Sequence, residues 1–148
     1  MRAREWTIAR IKACEQIDFW AVASELSPRC PFGSGLAGTS SQGSSGAGHG
    51  GNGGAGQNQP RVGSAFGNLY EPVDFGCKGG GNGGLGGGRI ELTVNETMKV
   101  DGVISCNGEP GLNSYSGGGS GGSIWITANM MRGYGQIQVG AQGNPLGL

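Results

Sequence analysis

Apolar and polar side chains alternate along the second half of the chain. Ile90, Leu92 and Val94 are separated by Glu91 and Thr93, and Val100, Ile104 and Cys106 continue the pattern. A period of two marks a strand with one buried face. The arrangement returns at Ile124, Ile126 and Ala128, and again at Ile137 and Val139. Superposing the two stretches gives an offset of 33 to 34 residues: Ile90 falls on Ile124, Leu92 on Ile126, Thr93 on Thr127, Gly102 on Gly135, Ile104 on Ile137 and Cys106 on Val139. A glycine tract opens each copy, at 79–88 and 117–122, and a further tract stands upstream at 46–54. Two strands per repeat at a fixed period describe the rung of a solenoid. The expected fold is therefore mainly β, a glycine-rich parallel β-solenoid of about three turns whose first turn has diverged.

The N-terminal part follows a different period. Trp6, Ala9, Ala13, Ile17 and Trp20 lie three or four residues apart, with Arg10, Lys12, Glu15 and Asp18 between them. That stripe predicts an amphipathic helix over 3–25. It stops before Ser27-Pro28, because the residue preceding proline is driven out of helical conformation. Four acidic residues among five basic ones in this part speak for packing on protein rather than on an anionic membrane surface. Residues 1–30 are thus read as a capping or assembly segment, and residues 31–148 as the solenoid domain.

Composition sharpens this division. The chain holds 35 glycines in 148 residues, and the first is Gly33. Each glycine fixed in regular structure costs about 0.5–1 kcal/mol relative to alanine, so ordered tracts need a structural reason. Stacked rungs bring equivalent residues to strand spacing, about 4.8 Å, where side chains at corners would collide, and tight corners use the positive φ open to glycine. Flexible linkers between hairpins are the competing explanation. The Asn, Ser and His residues inside the tracts, each tract running straight into a strand, favour order.

Charge removes several functional classes. Ten basic and ten acidic side chains give a net charge of zero, so no long-range field draws the chain to nucleic acid, and no run of 18 apolar residues is present to span a bilayer. The tracts lack the arginines that glycine-rich RNA binders use. Gly46-x-Gly48-x-x-Gly51 and Gly81-x-Gly83-x-x-Gly86 match a dinucleotide fingerprint only by glycine content, without the strand, helix and distal acid that give it meaning. His49 is the sole histidine and has no flanking nucleophile or orienting acid. Glu71, Asp74 and Asp101 form no cluster of the kind that polysaccharide-cleaving solenoids use, and a single aligned pair, Thr93 and Thr127, falls short of an ice-binding array. We expect no catalytic site, no metal and no cofactor.

The cysteines at 14, 30, 77 and 106 allow two disulfides in three connectivities. Cys14–Cys30 would staple the helix to its loop and Cys77–Cys106 would tie adjacent turns, while the alternative leaves Cys106 a buried thiol, as its counterpart Val139 faces the core. No Cys-x-x-Cys pair suggests zinc. Asn95-Glu96-Thr97 is an N-glycosylation acceptor, expected in the turn between the two strands of a rung. No signal peptide is visible, since Glu15 and Asp18 interrupt the one apolar candidate.

The blocks Gly-Ala-Gly-His-Gly-Gly-Asn-Gly-Gly at 46–54, Leu69-Tyr70-Glu71-Pro72, Gly86-Gly-Gly-Arg-Ile-Glu-Leu, Val100-Asp-Gly-Val-Ile-Ser-Cys-Asn-Gly and Gly117-Gly-Gly-Ser-Gly-Gly-Ser-Ile-Trp-Ile occur in an order that resembles large glycine-rich extracellular repeat proteins of protists, invertebrates and bacteria. The resemblance covers residues 33 to about 143. It implies a surface or matrix component, structural rather than catalytic, located outside the cell or on its surface.

A solenoid leaves open sheet edges at both ends. The sequence therefore points to a homopolymer, an extracellular filament built by end-to-end stacking and carrying covalent glycans, with Trp6, Trp20, Trp125 and Tyr134 as candidate assembly residues. The alternative is a monomeric adhesin or carbohydrate-binding module, in which Trp125 and Tyr134 would stack on sugar rings.

Overall fold

The structure, a computed structural model, describes residues 30, 33–35, 38, 43–58, 60–113 and 115–143, together with the backbone of 11–13 and 17–22. Its regular elements are all strands: β1 (Ile11–Ala13), β2 (Ile17–Val22), β3 (Arg89–Val100), β4 (Val103–Ser105), β5 (Ser123–Arg132) and β6 (Gln136–Gln138). The mainly β class is thus what the alternation indicates. The helix expected over 3–25 is corrected where that range is described, since 11–13 and 17–22 are strands. Its other residues, Trp6 and Cys14 among them, lie outside the described residues.

β3 is the centre of a four-stranded sheet. β5 lies parallel along one edge, and β1 and β2 lie antiparallel along the other. The parallel register follows the sequence repeat: Ile90 opposes Ile124, Leu92 opposes Ile126 and Thr93 opposes Thr127. Beyond a bulge between Val94 and Thr97 the partners become Thr97 and Met130, so the offset falls from 34 to 33 residues. The two values read from the sequence are the two sides of this bulge. A second, two-stranded parallel sheet pairs β4 with β6, Ile104 opposite Ile137. The repeat therefore builds two small parallel pairs, β3 with β5 and β4 with β6, and the described residues form no β-solenoid; β3 with β4 and β5 with β6 are the first and second rungs below. The upstream tract at 46–54 is followed by no strand before β3, so the three solenoid turns expected are not formed among the described residues.

The tracts are not corners. Donors three residues apart in one segment bond acceptors three apart in the next: Gly76 and Gly79 donate to Gly87 and Gly84 at 2.9 and 3.0 Å, and Gly84 and Gly87 donate to Gly117 and Ser120 at 3.0 and 2.8 Å. Gly117 and Ser120 then donate to Gly80 and Cys77 at 3.1 and 3.0 Å, closing a three-segment bundle. A strand ladder steps by two. A step of three is the period of polyproline II geometry, which forms no hydrogen bonds within a segment and so offers its groups to neighbours on several sides. The same step joins Gly43 and Gly46 to Gln57 and Gly54, and Gly119 and Gly122 to Glu109 and Cys106.

Glycine is required here by proximity. A Cβ at Gly84 would lie 1.9 Å from the Glu109 carbonyl oxygen, and one at Gly87 would lie 1.9 Å from that of Cys106. Positive φ, the reason expected from the solenoid corners, is found at three described glycines, Gly67 (97°), Gly81 (64°) and Gly133 (112°). Buried serines close the gaps: the Cys77 amide donates to Ser120 Oγ at 2.8 Å, and Ser123 Oγ donates to the Asp74 carbonyl at 2.6 Å.

The apolar core is small. Leu92, Val94, Met98, Val100 and Ile104 form it, with Ile90, Ile124, Ile126 and Ala128 packed against it. Each fully buried side chain of this size contributes about 1.5–3 kcal/mol. One disulfide joins Cys30 to Cys77, with Cα atoms 5.7 Å apart, and Cys106 is a free, buried thiol. Both pairings weighed from the sequence, Cys14–Cys30 and Cys77–Cys106, are thereby corrected, whereas the alternative, Cys106 as a buried thiol, is what the structure has. Cys77 sits in the glycine bundle, whereas Cys106 follows β4 in the first rung and donates its amide to the Gln138 carbonyl of the second at 2.9 Å.

Candidate assembly surface

The second rung leaves uncovered what the first rung covers. Met98 is 0% exposed and its register partner Met131 is 50% exposed. Ile104 is 5% exposed against 45% for Ile137, and Cys106 is 4% exposed against 47% for Val139. Sequence repetition thus produces equivalent apolar positions, but only the first set has a rung lying over it. Met130 and Tyr134 extend the uncovered surface.

Three of the four candidate assembly residues, Trp20, Trp125 and Tyr134, fall on this sheet and its ends, and Trp6 lies outside the described residues. Trp125 is half-buried in β5 opposite Glu91, which in turn pairs with Trp20 of β2. Residues in register share a face, so positions 20, 91 and 125 form one row across three strands. Glu91 receives a hydrogen bond from Arg89 Nη2 at 2.7 Å. Such partly exposed pairs are worth about 0–1 kcal/mol. Tyr134 is fully exposed in the turn between β5 and β6. Thr93 and Thr127 are in register.

A groove of about 1080 Å³ adjoins the same end of the molecule, with His49, Phe66, Gly121, Ile124 and Val139 in its walls. The His49 ring stacks on Phe66 with centroids 4.6 Å apart, and Nδ1 lies 2.7 Å from the Gly121 carbonyl oxygen. A carbonyl only accepts, so Nδ1 carries the proton in this bond. His49 therefore fastens two tract segments together. Gly50, Gly51 and Gly54, also in the groove wall, would place an added Cβ in open space.

Asn95 is exposed, as the sequence suggests, but it stands in the bulge of the continuous strand β3 rather than in a turn between strands. The Asn129 side-chain amide donates to its carbonyl oxygen. Asp101 follows β3 and meets Lys99 Nζ at 2.6 Å.

Sequence reasoning did not single out two side-chain links, one between the rungs and one within the upstream segment. Asn107 Oδ1 accepts from the Gly140 amide at 2.8 Å, and Asn52 Oδ1 accepts from the Ala65 amide at 2.8 Å. The signal was present for Asn52, a polar residue inside a glycine tract, but not for Asn107, which has a glycine on one side only.

The Cys106 thiol is pushed up to about 12 by burial, against the opposing effect of a backbone hydrogen bond at Ile90. An apolar environment disfavours the thiolate, so this sulfur is an inert packing atom. Among the described residues no group of three or more His, Cys, Asp or Glu side chains is arranged to hold a metal ion, and no helix is long and apolar enough to cross a membrane. Comparison with protein-family models, with curated proteins and with solved structures gives no match.

Proposed function

We propose that this chain is a structural subunit of an extracellular filament or surface appendage that grows by end-to-end stacking of copies. The observation that carries the reading is the uncovered second rung. Met131, Ile137 and Val139 are about half exposed while their repeat equivalents are buried, and an apolar edge with unpaired backbone groups is a template for further pairing. A contact that does not close on itself yields an open helical polymer. The disulfide is compatible with an oxidising compartment, and the exposed Asn95 acceptor fits a glycoprotein. Protein secreted from a eukaryotic host should appear as filaments by negative-stain electron microscopy at micromolar concentration and lose mass on enzymatic deglycosylation. Discrete monomers across salt and pH would defeat the filament reading, and an unchanged mass would defeat the glycan assignment.

The groove beside His49 and Phe66 favours a second reading, a monomeric adhesin or carbohydrate-binding module. A concave, partly aromatic wall suits a sugar ring. Binding of oligosaccharides by protein that never self-associates would establish this reading over the first.

A further inference from the structure

The four-stranded sheet has two edges that are unpaired among the described residues, and they are unlike. One is β5, parallel to β3; the other is formed by β1 and β2, antiparallel to it. We infer that copies join head to tail, with the β5 edge of one copy pairing with the β1/β2 edge of the next. This rests on the assembly reading above and specifies its mating surfaces.

Register carries the argument. The rows that cross the sheet are Ala21–Ile90–Ile124, Phe19–Leu92–Ile126, Ile17–Val94–Ala128 and Ala13–Met98–Met131. All four are apolar. Translation of a second copy by one sheet width brings Ala21, Phe19, Ile17 and Ala13 of that copy beside Ile124, Ile126, Ala128 and Met131, which are half-buried or exposed at present. The alternate rows continue Trp20–Glu91–Trp125 into the next Trp20. Aromatic neighbours across strands are among the favourable pairs. One row opposes the contact: Lys12–Lys99–Arg132 sets cation beside cation. Inside the subunit Asp101 partly neutralises this row through Lys99, and added salt screens it between subunits.

The competing arrangement is a two-fold pairing of one β5 with another. It would bury the same edge twice, leave the β1/β2 edge open and close at a dimer. The two arrangements respond differently to blocking one edge. Trp20→Lys blocks the β1/β2 edge and Trp125→Lys blocks β5; Met131→Lys is a second β5 block. Folding is checked by the strand signal in circular dichroism and by the intact Cys30–Cys77 disulfide. In sedimentation velocity at micromolar concentration the unsubstituted protein should form large species and each variant alone should remain monomeric. An equimolar mixture of Trp20→Lys with either β5 variant should give a discrete dimer, because one intact edge of each kind remains. If Trp20→Lys alone dimerises, the two-fold arrangement replaces head-to-tail pairing. If all the variants assemble like the unsubstituted protein, these edges are not the interface although the subunit still polymerises. If the unsubstituted protein stays monomeric, the assembly reading itself falls.

Discussion

At Gly117 an added methyl group would stand 1.9 Å from the Ser45 carbonyl oxygen, whereas at Gly50 it would meet nothing within 4 Å. Neither site has positive φ, so the contrast isolates packing from backbone conformation. Gly117→Ala should destabilise the fold by roughly 1–3 kcal/mol or prevent it, as forced overpacking does. Gly50→Ala should be neutral or stabilise by about 0.4–1 kcal/mol through the unfolded chain. Urea denaturation of the two variants checks this, and equal midpoints would refute the close-packed tracts. Cys106 gives a second measurement at this scale. Its thiol ionises near 9.0 in an unfolded chain and at about 12 in the fold. Between those values the unfolded state has released a proton that the native state retains, so stability falls as pH rises. Cys106→Val, which copies the residue at position 139, should remove this contribution, and the two proteins should diverge in thermal midpoint as pH rises through the 9.0-to-12 window.

The elements differ in how plainly the sequence announces them. β3 and β5 were legible in register, because alternating Ile, Leu and Val identify both the buried face and the partner. The glycine segments were legible only as a demand for close approach. A residue without a side chain carries no mark of its neighbour, so the three-residue step between 76–80, 84–87 and 117–120 could not be read. At the N-terminus the same residues carry two periods. Ala13, Ile17 and Trp20 satisfy a helical stripe, but Ile17, Phe19 and Ala21 also alternate, and these oppose Val94, Leu92 and Ile90 of β3. Long-range pairing of an otherwise open β3 edge overrides local propensity. The disulfide was beyond sequence for a related reason, since connectivity depends on which segments touch. Cys30–Cys77 spans 47 residues and on chain-entropy grounds stabilises by about 4 kcal/mol. Cys30→Ser with Cys77→Ser should lower the thermal midpoint strongly, loosening tract 43–57 before the β3–β5 pair. Amide exchange that accelerated uniformly would contradict that order.

On the scale of the whole molecule, stability is divided between a small apolar core and a larger polar framework of backbone hydrogen bonds. A neutral chain with an uncovered rung has little electrostatic protection against self-pairing, so the solubility and the proposed assembly of this protein depend on the same edges. The position of each tract beside its rung makes the two parts one object, yet they are measured in different units. In β3 and β5 the backbone returns to the same face every second residue; in the tracts it returns every third. Loss of Gly119 alone would turn the following donors by a third of a turn, carrying the Gly122 amide away from the Cys106 carbonyl it now meets at 2.8 Å. Loss of three consecutive residues would preserve the direction and shorten the segment by about 9 Å. Change in the length of this chain is therefore quantised, in twos where side chains define the packing and in threes where glycine does.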